Sequence, residues 1–384
     1  MIQNLFSRRK LMTLGAVALL AGCKAIPTSA PPEGPAPPPP PPTSNLPTDT
    51  ERHRVALLVP LSGSNAQVGQ SIANAATMAL LDTDAKNLRV TNYDTAAGAA
   101  NAARRAVADG NKLILGPLLS DNIPAVAEVA RPAQVPLISF SNDQVAAASD
   151  TFVMGNLPGQ SVDRAIGYAT QRGIDMFAAL IPQGEYGERV AASLASSVQA
   201  NRGKIVAVER YDRGNTSIAS AAKRLADKGG YEGVLIADGG RMAVRAGPVV
   251  KPSGSDVQII GTELWSGEKD VMDSSALRGA WFASVSDQRF GQFSKSYQSR
   301  FGAAPYRIAT LGYDAVLLTL RVARDWTPGK TFPLRQLTDK GGFLGLDGPF
   351  RFGREGVVER ALEVREVGAG TVTTVSPAPT RFDD

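Results

Sequence analysis

Residues 113–143 read LILGPLLSDNIPAVAEVARPAQVPLISFSND, and the order of residue types within them sets the fold class. The stretch opens on a short apolar run, Leu113 to Leu115, that breaks at Gly116-Pro117. A polar turn, Ser120-Asp121-Asn122, leads through Ile123-Pro124 into an alanine-rich segment with helical character. Pro136 then precedes a second apolar run, Leu137-Ile138, followed at once by Ser139, Ser141 and Asn142. This pattern predicts strand, loop, helix, strand, loop. The hydroxyls fall where strands end and helices begin. Ligands bind there in open α/β sheets, because helix N-termini offer unpaired N–H groups to anions. Serines at such places also act as helix caps and turn residues, and one side chain can serve both purposes.

The same rhythm extends in both directions. Residues 55–59 read as a buried strand, 60–65 as a loop carrying Ser62, and 68–81 as a helix with Ile72, Ala75, Ala76, Ala79 and Leu80 on its inner face. Residues 88–93 form a strand ending at Asp94-Thr95, followed by a helix over 96–108 that Gly110 stops. After Gly155-Asn156-Leu157-Pro158 the pattern restarts: helix 161–172, strand 177–181, then a loop through Glu185-Tyr186-Gly187 opening a helix to Val198. Strand 205–208, helix 218–228, strand 234–237, a turn at Gly239-Gly240 and strand 257–260 follow, the last ending at Gly261-Thr262-Glu263-Leu264-Trp265. Strands alternating with helices, twice over, predict an α/β fold of two doubly wound parallel-sheet lobes. Residues 281–285, with helices at 290–301 and 310–324, supply a return to the first lobe. Residues 361–367 and 371–375 flank Gly368-Ala369-Gly370 as a hairpin.

The N-terminus is expected to be a targeting segment outside the fold. Arg8, Arg9 and Lys10 form a basic n-region, and residues 11–21 an apolar h-region too short to span a bilayer as a mature helix. Leu20-Ala21-Gly22-Cys23 resembles the lipobox of bacterial lipoproteins, which implies a lipid on Cys23 and cleavage before it. Lys24 stands where an inner-membrane lipoprotein typically has Asp, which implies the outer membrane, facing the periplasm. Ser7-Arg8-Arg9 also looks like a twin-arginine export signal, and the route stays open. Removing Arg8, Arg9 and Lys10 from 41 basic residues leaves 38 against 36 acidic ones, or +2, a balance that gives no reason to propose nucleic acid. Residues 25–50 are dominated by proline, with an unbroken run at 37–42. They are expected to stay extended, reaching about 75 Å at ~3.1 Å per residue.

Candidate chemistry is sparse. Cys23 is the single cysteine, so an intramolecular disulfide or a multi-cysteine metal site is not available. His53 is the single histidine and sits at the end of the linker, so a Ser-His-Asp or Cys-His arrangement has no base in the cleft. Neither GxxxxGK[ST] nor a helix-opening GxGxxG occurs. Two carboxylates such as Asp238 and Glu263 could in principle do acid–base work as in glycosidases, but acidic residues on cleft loops also bind amines, and the non-enzymatic reading is preferred. The expectation is a non-enzyme without cofactor or metal.

Along its body, from about Arg54 to Val375, the sequence resembles the leucine/isoleucine/valine-binding proteins of the type I periplasmic binding fold. The resemblance rests on residues 55–63 (VALLVPLSG), Ile114-Leu115-Gly116-Pro117 with Ser120, Val135-Pro136-Leu137-Ile138-Ser139, Glu185-Tyr186-Gly187, and residues 343–352 (FLGLDGPFRF). It implies two lobes joined by three crossovers, near Asn156, Ser284 and Gly342. The resulting division gives a signal peptide at 1–22, lipidated Cys23 and a disordered linker at 23–51, lobe one at 52–155 plus 285–341, lobe two at 156–284 plus 342–375, and a flexible tail at 376–384. The resemblance implies a ligand cleft with Ser62, Ser120, Ser139 and Ser141 on one side and Tyr186, Asp238 and Glu263 on the other. Ser120 and Ser141 take the places of carboxylate-binding hydroxyls, and Glu263 that of the ammonium partner. Asp238 departs from the pattern, since amino-acid binders usually carry an aromatic residue before this Gly-Gly turn.

Body, lipobox and proline-rich linker together also resemble the penicillin-binding protein activators, outer-membrane lipoproteins whose domain of this fold contacts peptidoglycan synthases. A tether long enough to cross the periplasm suits that role and puts it first. The alternative partner is an ABC permease served by a binding protein for branched-chain or other amino acids. A sensory ligand-binding module is a third possibility.

Overall fold

The computed structural model describes residues 49–380, apart from residue 215, together with Phe382. The expected signal peptide, the lipidation at Cys23 and the proline-rich linker up to residue 48 lie outside the described residues. The first sheet is built from β1 (His53–Val59), β2 (Leu88–Asp94), β3 (Leu113–Leu115), β4 (Leu137–Ser139) and β5 (Thr151–Val153) in the order β2-β1-β3-β4-β5, all parallel. β1 lies inside the sheet, between β2 and β3, and is buried on both faces, which is why it reads as a nearly unbroken apolar run. Its Val55, Leu57 and Val59 join one core and its Ala56 and Leu58 another. The edge strand β2 carries exposed and half-buried polar residues instead. Helices α1 (Ala66–Asp82), α2 (Ala99–Ala108) and α3 (Ile123–Ala130) follow β1, β2 and β3, with α1 on one face and α2 and α3 on the other.

The second sheet begins with α4 (Pro158–Gln171), β6 (Met176–Pro182), α5 (Glu185–Ala200), β7 (Lys204–Tyr211), α6 (Ser217–Lys228), β8 (Gly233–Ile236), α7 (Gly240–Val250), β9 (Gln258–Gly261), α8 (Lys269–Asp273) and β10 (Trp281–Ser284). Helices α4 and α5 cover one face and α6 and α7 the other. The turn expected at Gly239-Gly240 in fact starts α7. Gly247 and Pro248 inside that helix dilute its helical signal in the sequence.

The chain then returns. Helices α9 (Phe290–Phe301) and α10 (Thr310–Val322) pack against α1. A small antiparallel sheet follows, made of β11 (Phe343–Gly345), β12 (Gly348–Phe352) and β13 (Val358–Arg360). β14 (Glu363–Val367) pairs antiparallel with β10, and β15 (Val372–Ser376) with β14, so the second sheet runs β15-β14-β10-β9-β8-β6-β7.

The small sheet corrects one expectation. Residues 343–352, read as a second-lobe strand after a crossover near Gly342, pack on the first lobe. Phe343, Phe350, Phe352 and Val358 belong to the same core as β1, α1 and α10. The aromatic side chains alternate along antiparallel strands, and Phe152 meets Phe352 edge-on at 5.2 Å. The third passage between lobes therefore lies at Ala361-Leu362, between β13 and β14. The start of the expected loose tail is also held: Arg164 Nη2 donates to Ser376 Oγ at 2.6 Å, and the Arg351 guanidinium lies 4.9 Å from the Phe382 ring centre.

Both lobes use one device to bring a helix close to the strand before it. A β-carbon on Gly69, in the first turn of α1, would lie 1.7 Å from Pro60 O; one on Gly187, in the first turn of α5, would lie 1.8 Å from Pro182 O. Only glycine permits either approach. Helix starts are thereby pressed against the carboxyl ends of the strands, where the loops of both lobes meet.

Candidate functional site

The carboxyl ends of the parallel strands carry every sequence-predicted site residue, but most of their side chains are occupied in holding the loops. Ser62 is exposed, and its Oγ donates to Asp94 Oδ2 at 2.6 Å; Leu61 N donates to Asp94 Oδ1 at 2.8 Å. These bonds, with Ser62 first, hold the Asp94 carboxyl below its ordinary value. Ser139 is fully buried: its Oγ donates to Pro117 O at 2.8 Å and accepts from Ser141 N at 3.1 Å. Ser141 Oγ accepts from Asp143 N at 3.0 Å, forming a local hydroxyl turn. Ser120 opens a 3₁₀ turn and stands 3.4 Å from Asp121 Oδ1.

On the second lobe, Asp238 is buried and anchors its surroundings. Its Oδ2 accepts from Tyr211 Oη at 2.6 Å and Arg213 Nε at 2.9 Å, its Oδ1 from Gly239 N at 2.8 Å, and its carbonyl from Trp265 Nε1 at 2.8 Å. The carboxylate found in place of the expected aromatic residue is thus held within the lobe. Burial, reinforced by Asp238, pushes the Tyr211 phenol well above its ordinary value.

Glu263 is placed differently. Its Oε1 lies 3.1 Å from Tyr186 Oη, which is also 3.0 Å from Thr262 Oγ1; its Oε2 is buried without a partner. Burial pushes its carboxyl up to about 7. Burial and the neighbouring Glu263 charge push the Tyr186 phenol well above its usual range.

A cavity of about 450 Å³ lies between the lobes. Val68, Leu118, Phe140 and Ile308 give it an apolar wall, while Asn142, Asn156, Glu263, Ser266, Glu268 and Arg307 give it a polar one. A second pouch of about 40 Å³ shares Asn156, Glu263, Ser266 and Arg307 and is closed by Gln160, Ser161, Ser284 and Arg360. Of the seven cleft residues expected from sequence, Glu263 lines these spaces and Tyr186 backs it. Ser62, Ser120, Ser139, Ser141 and Asp238 are not among the lining residues.

The residues that sequence reasoning missed are arginines. Arg189 on α5 crosses to the first lobe, with Nη2 3.1 Å from Asp143 Oδ2 and Nη1 3.4 Å from Asn142 Oδ1. Arg307 pairs with Asp347 at 2.6 Å, and Arg360 donates to Met154 O at 2.6 Å. Behind them, burial and the Asp347 charge push the Asp314 carboxyl up to about 7. A usable signal was present: Tyr306-Arg307-Ile308-Ala309 and Arg360-Ala361-Leu362 each set a cation in apolar company.

Residues 53–371 match the family model described as periplasmic binding protein, and the chain belongs to that family. Its fold is the type I, leucine-binding-protein-like arrangement. A putative branched-chain amino acid ABC transporter protein from Rhodospirillum rubrum superposes with a TM-score of 0.75 at 20% identity, covering 84% of this chain and all of that one (100%). The leucine-binding protein of Thermotoga maritima gives 0.65 at 16%, covering 85% of this chain and 98% of that one. A solute-binding protein from Rhodopseudomonas palustris, in complex with 3,4-dihydroxybenzoic acid, gives 0.67 at 20%, covering 87% and 98%. An uncharacterised protein of Rickettsia prowazekii is 28% identical over 175 residues, 45% of this chain and 47% of that protein. The chain therefore spans about half the length of that relative.

Proposed function

We propose that this chain is a solute-binding protein of the cell envelope, holding a small solute between its lobes for delivery to an ABC permease. The observation that carries the reading is the interlobe cavity, apolar on one wall and edged by unpaired polar atoms, Glu263 Oε2 and Asn156 Oδ1. Pockets of this make-up bury a ligand's body and fix its orientation through a few polar groups. Kinship with solute-binding proteins supports it. Binding without chemistry fits as well, because the Asp238 carboxylate is engaged by Tyr211, Arg213 and Gly239 and does not pair with Glu263 for acid–base work. The test is a thermal-shift screen of the mature chain against amino acids, carboxylic acids, sugars and polyamines. A ligand at a hundred times its dissociation constant adds ~2.7 kcal/mol to stability. No stabilisation by any class at millimolar concentration counts against solute binding.

A second reading is favoured by the N-terminus: Leu20-Ala21-Gly22-Cys23 and the proline-rich residues 25–50 suit an outer-membrane lipoprotein that reaches across the periplasm to activate a peptidoglycan synthase. Mass spectrometry of the N-terminal peptide from membrane fractions tests the anchor. Retention of a bifunctional synthase on a column of the folded domain tests the partner.

A further inference from the structure

The small pouch at the inner end of the cleft holds more unpaired polarity than any other place among the described residues. Arg360, at the end of β13, is 7% exposed. Its Nη2 is used by Met154 O at 2.6 Å and the Phe350 ring centre lies 5.4 Å from its Cζ, yet its Nε and Nη1 have no partner. Arg307 is tied through Nη1 to Asp347 and through Nη2 to Asp287, and its Nε is likewise free. Both arginines border the pouch, and Glu263 lines it with Oε2 unpaired. A buried guanidinium with free donors is costly unless an acceptor reaches it. Nε and Nη1 lie on opposite edges of the Arg360 guanidinium and do not form its fork. The acceptor that fits therefore brings two oxygens, one for a free Arg360 donor and one for Arg307 Nε. At about 40 Å³ the pouch suits one such group and no more.

We infer that this pouch is the head-group subsite of the cleft and takes the carboxylate of a small organic acid on Arg360 and Arg307. The apolar body of the acid then lies in the adjoining 450 Å³ cavity against Leu118, Phe140 and Ile308. The carboxylate is held by arginines where the lobes join, and not by the strand-end serines. The inference rests on the cleft being a solute site and adds which end of the solute is read. Glu263 offers the nearest acceptor for an ammonium group, so α-amino acids and plain acids share the head group and part company there.

The test is isothermal titration of the mature chain with three probes of similar body: L-leucine, 4-methylpentanoate and 3-methylbutylamine. Wild type binds one or both carboxylates and not the amine. Arg360→Gln weakens that binding at least tenfold, and Arg360→Lys, which keeps the charge, loses less. Preference for L-leucine over 4-methylpentanoate assigns an ammonium contact to Glu263; equal binding marks plain acids as the source. Because the wild-type comparison of acid with amine needs no variant, a failure of Arg360→Gln to fold leaves it decisive. The inference is overturned if the amine binds as well as the acids, or if Arg360→Gln binds them unchanged; the cleft then still holds solutes, in another orientation. It is also overturned if neither acid binds at millimolar concentration, the pouch then holding water only. In that case a hit with a sugar or polyamine keeps the broader solute-binding reading.

Discussion

Replacing Asp238 by alanine tests whether this carboxylate holds the second lobe together or meets a ligand. The substitution removes the acceptor of Tyr211 Oη at 2.6 Å and of Gly239 N at 2.8 Å, both in buried or half-buried surroundings. Hydrogen bonds to charged groups contribute about 1.5–3 kcal/mol each, and a buried phenol left unpaired keeps its desolvation penalty. The Arg213 partner is 42% exposed, so that ion pair adds at most about 1 kcal/mol. The expected loss is therefore on the order of 3–6 kcal/mol. Asp238→Asn retains an acceptor for Tyr211 and should cost about half as much. Urea unfolding followed by tryptophan fluorescence reads the change directly, because Trp265 Nε1 donates to the Asp238 carbonyl. An Asp238→Ala protein within ~1 kcal/mol of wild type would refute the structural role, and abolished solute binding in such a protein would place Asp238 at the ligand.

Arg189→Ala removes the half-buried contact to Asp143 that bridges the lobes. Such a pair contributes about 0.5–1 kcal/mol, so the balance shifts two- to fivefold toward separated lobes, seen as a larger radius of gyration in X-ray scattering without ligand. Glu263 has a folded-state pKa of about 7, above its ordinary value of 4.5. The unfolded chain ionises first as pH rises, so this group lowers stability between those values and keeps it lowered above them. Glu263→Gln should thus gain about 1–3 kcal/mol relative to wild type at pH 8 but not at pH 4, and equal effects at both would sink the assignment. Burial, partly opposed by a backbone bond with Ala323, pushes the His53 imidazole below 6.5. Its contribution to stability is then complete above that value and lost as pH falls through the folded-state pKa; the single imidazole NMR signal should titrate below 6.5, and a midpoint above it would contradict the burial.

The fold was legible because the strands that build it are short apolar runs with no other explanation. Residues 55–59 and 113–115 are buried on both sides, so their composition carries the parallel sheet directly. The small sheet was not legible as a first-lobe element. Phe343, Phe350 and Phe352 announce an apolar face, but the sequence does not say which lobe that face meets. The site was legible as a set of loops and, at the level of side chains, in Glu263 on the cavity wall with Tyr186 behind it. Spacing located the strand ends and their hydroxyls, yet whether a hydroxyl faces solute or its own loop depends on backbone turns, and Ser139 and Ser141 turn inward to Pro117 and Asp143. Arginines from distant segments close the pouch, and sequence distance hides such meetings: 53 positions separate Arg307 from Arg360.

The late placement of β11 to β13 has a consequence for synthesis. A chain made from its N-terminus produces β1 to β5 early, but the aromatic cover that seals Phe152 and Val153 arrives only with residues 343–358, about two hundred positions later. Until then the first-made half exposes oily surface, and the second sheet in turn waits for β14 and β15 to cover the edge of β10. A stop codon just before residue 343 should therefore damage the end of the molecule that was made first, in addition to removing β14 and β15 from the second sheet.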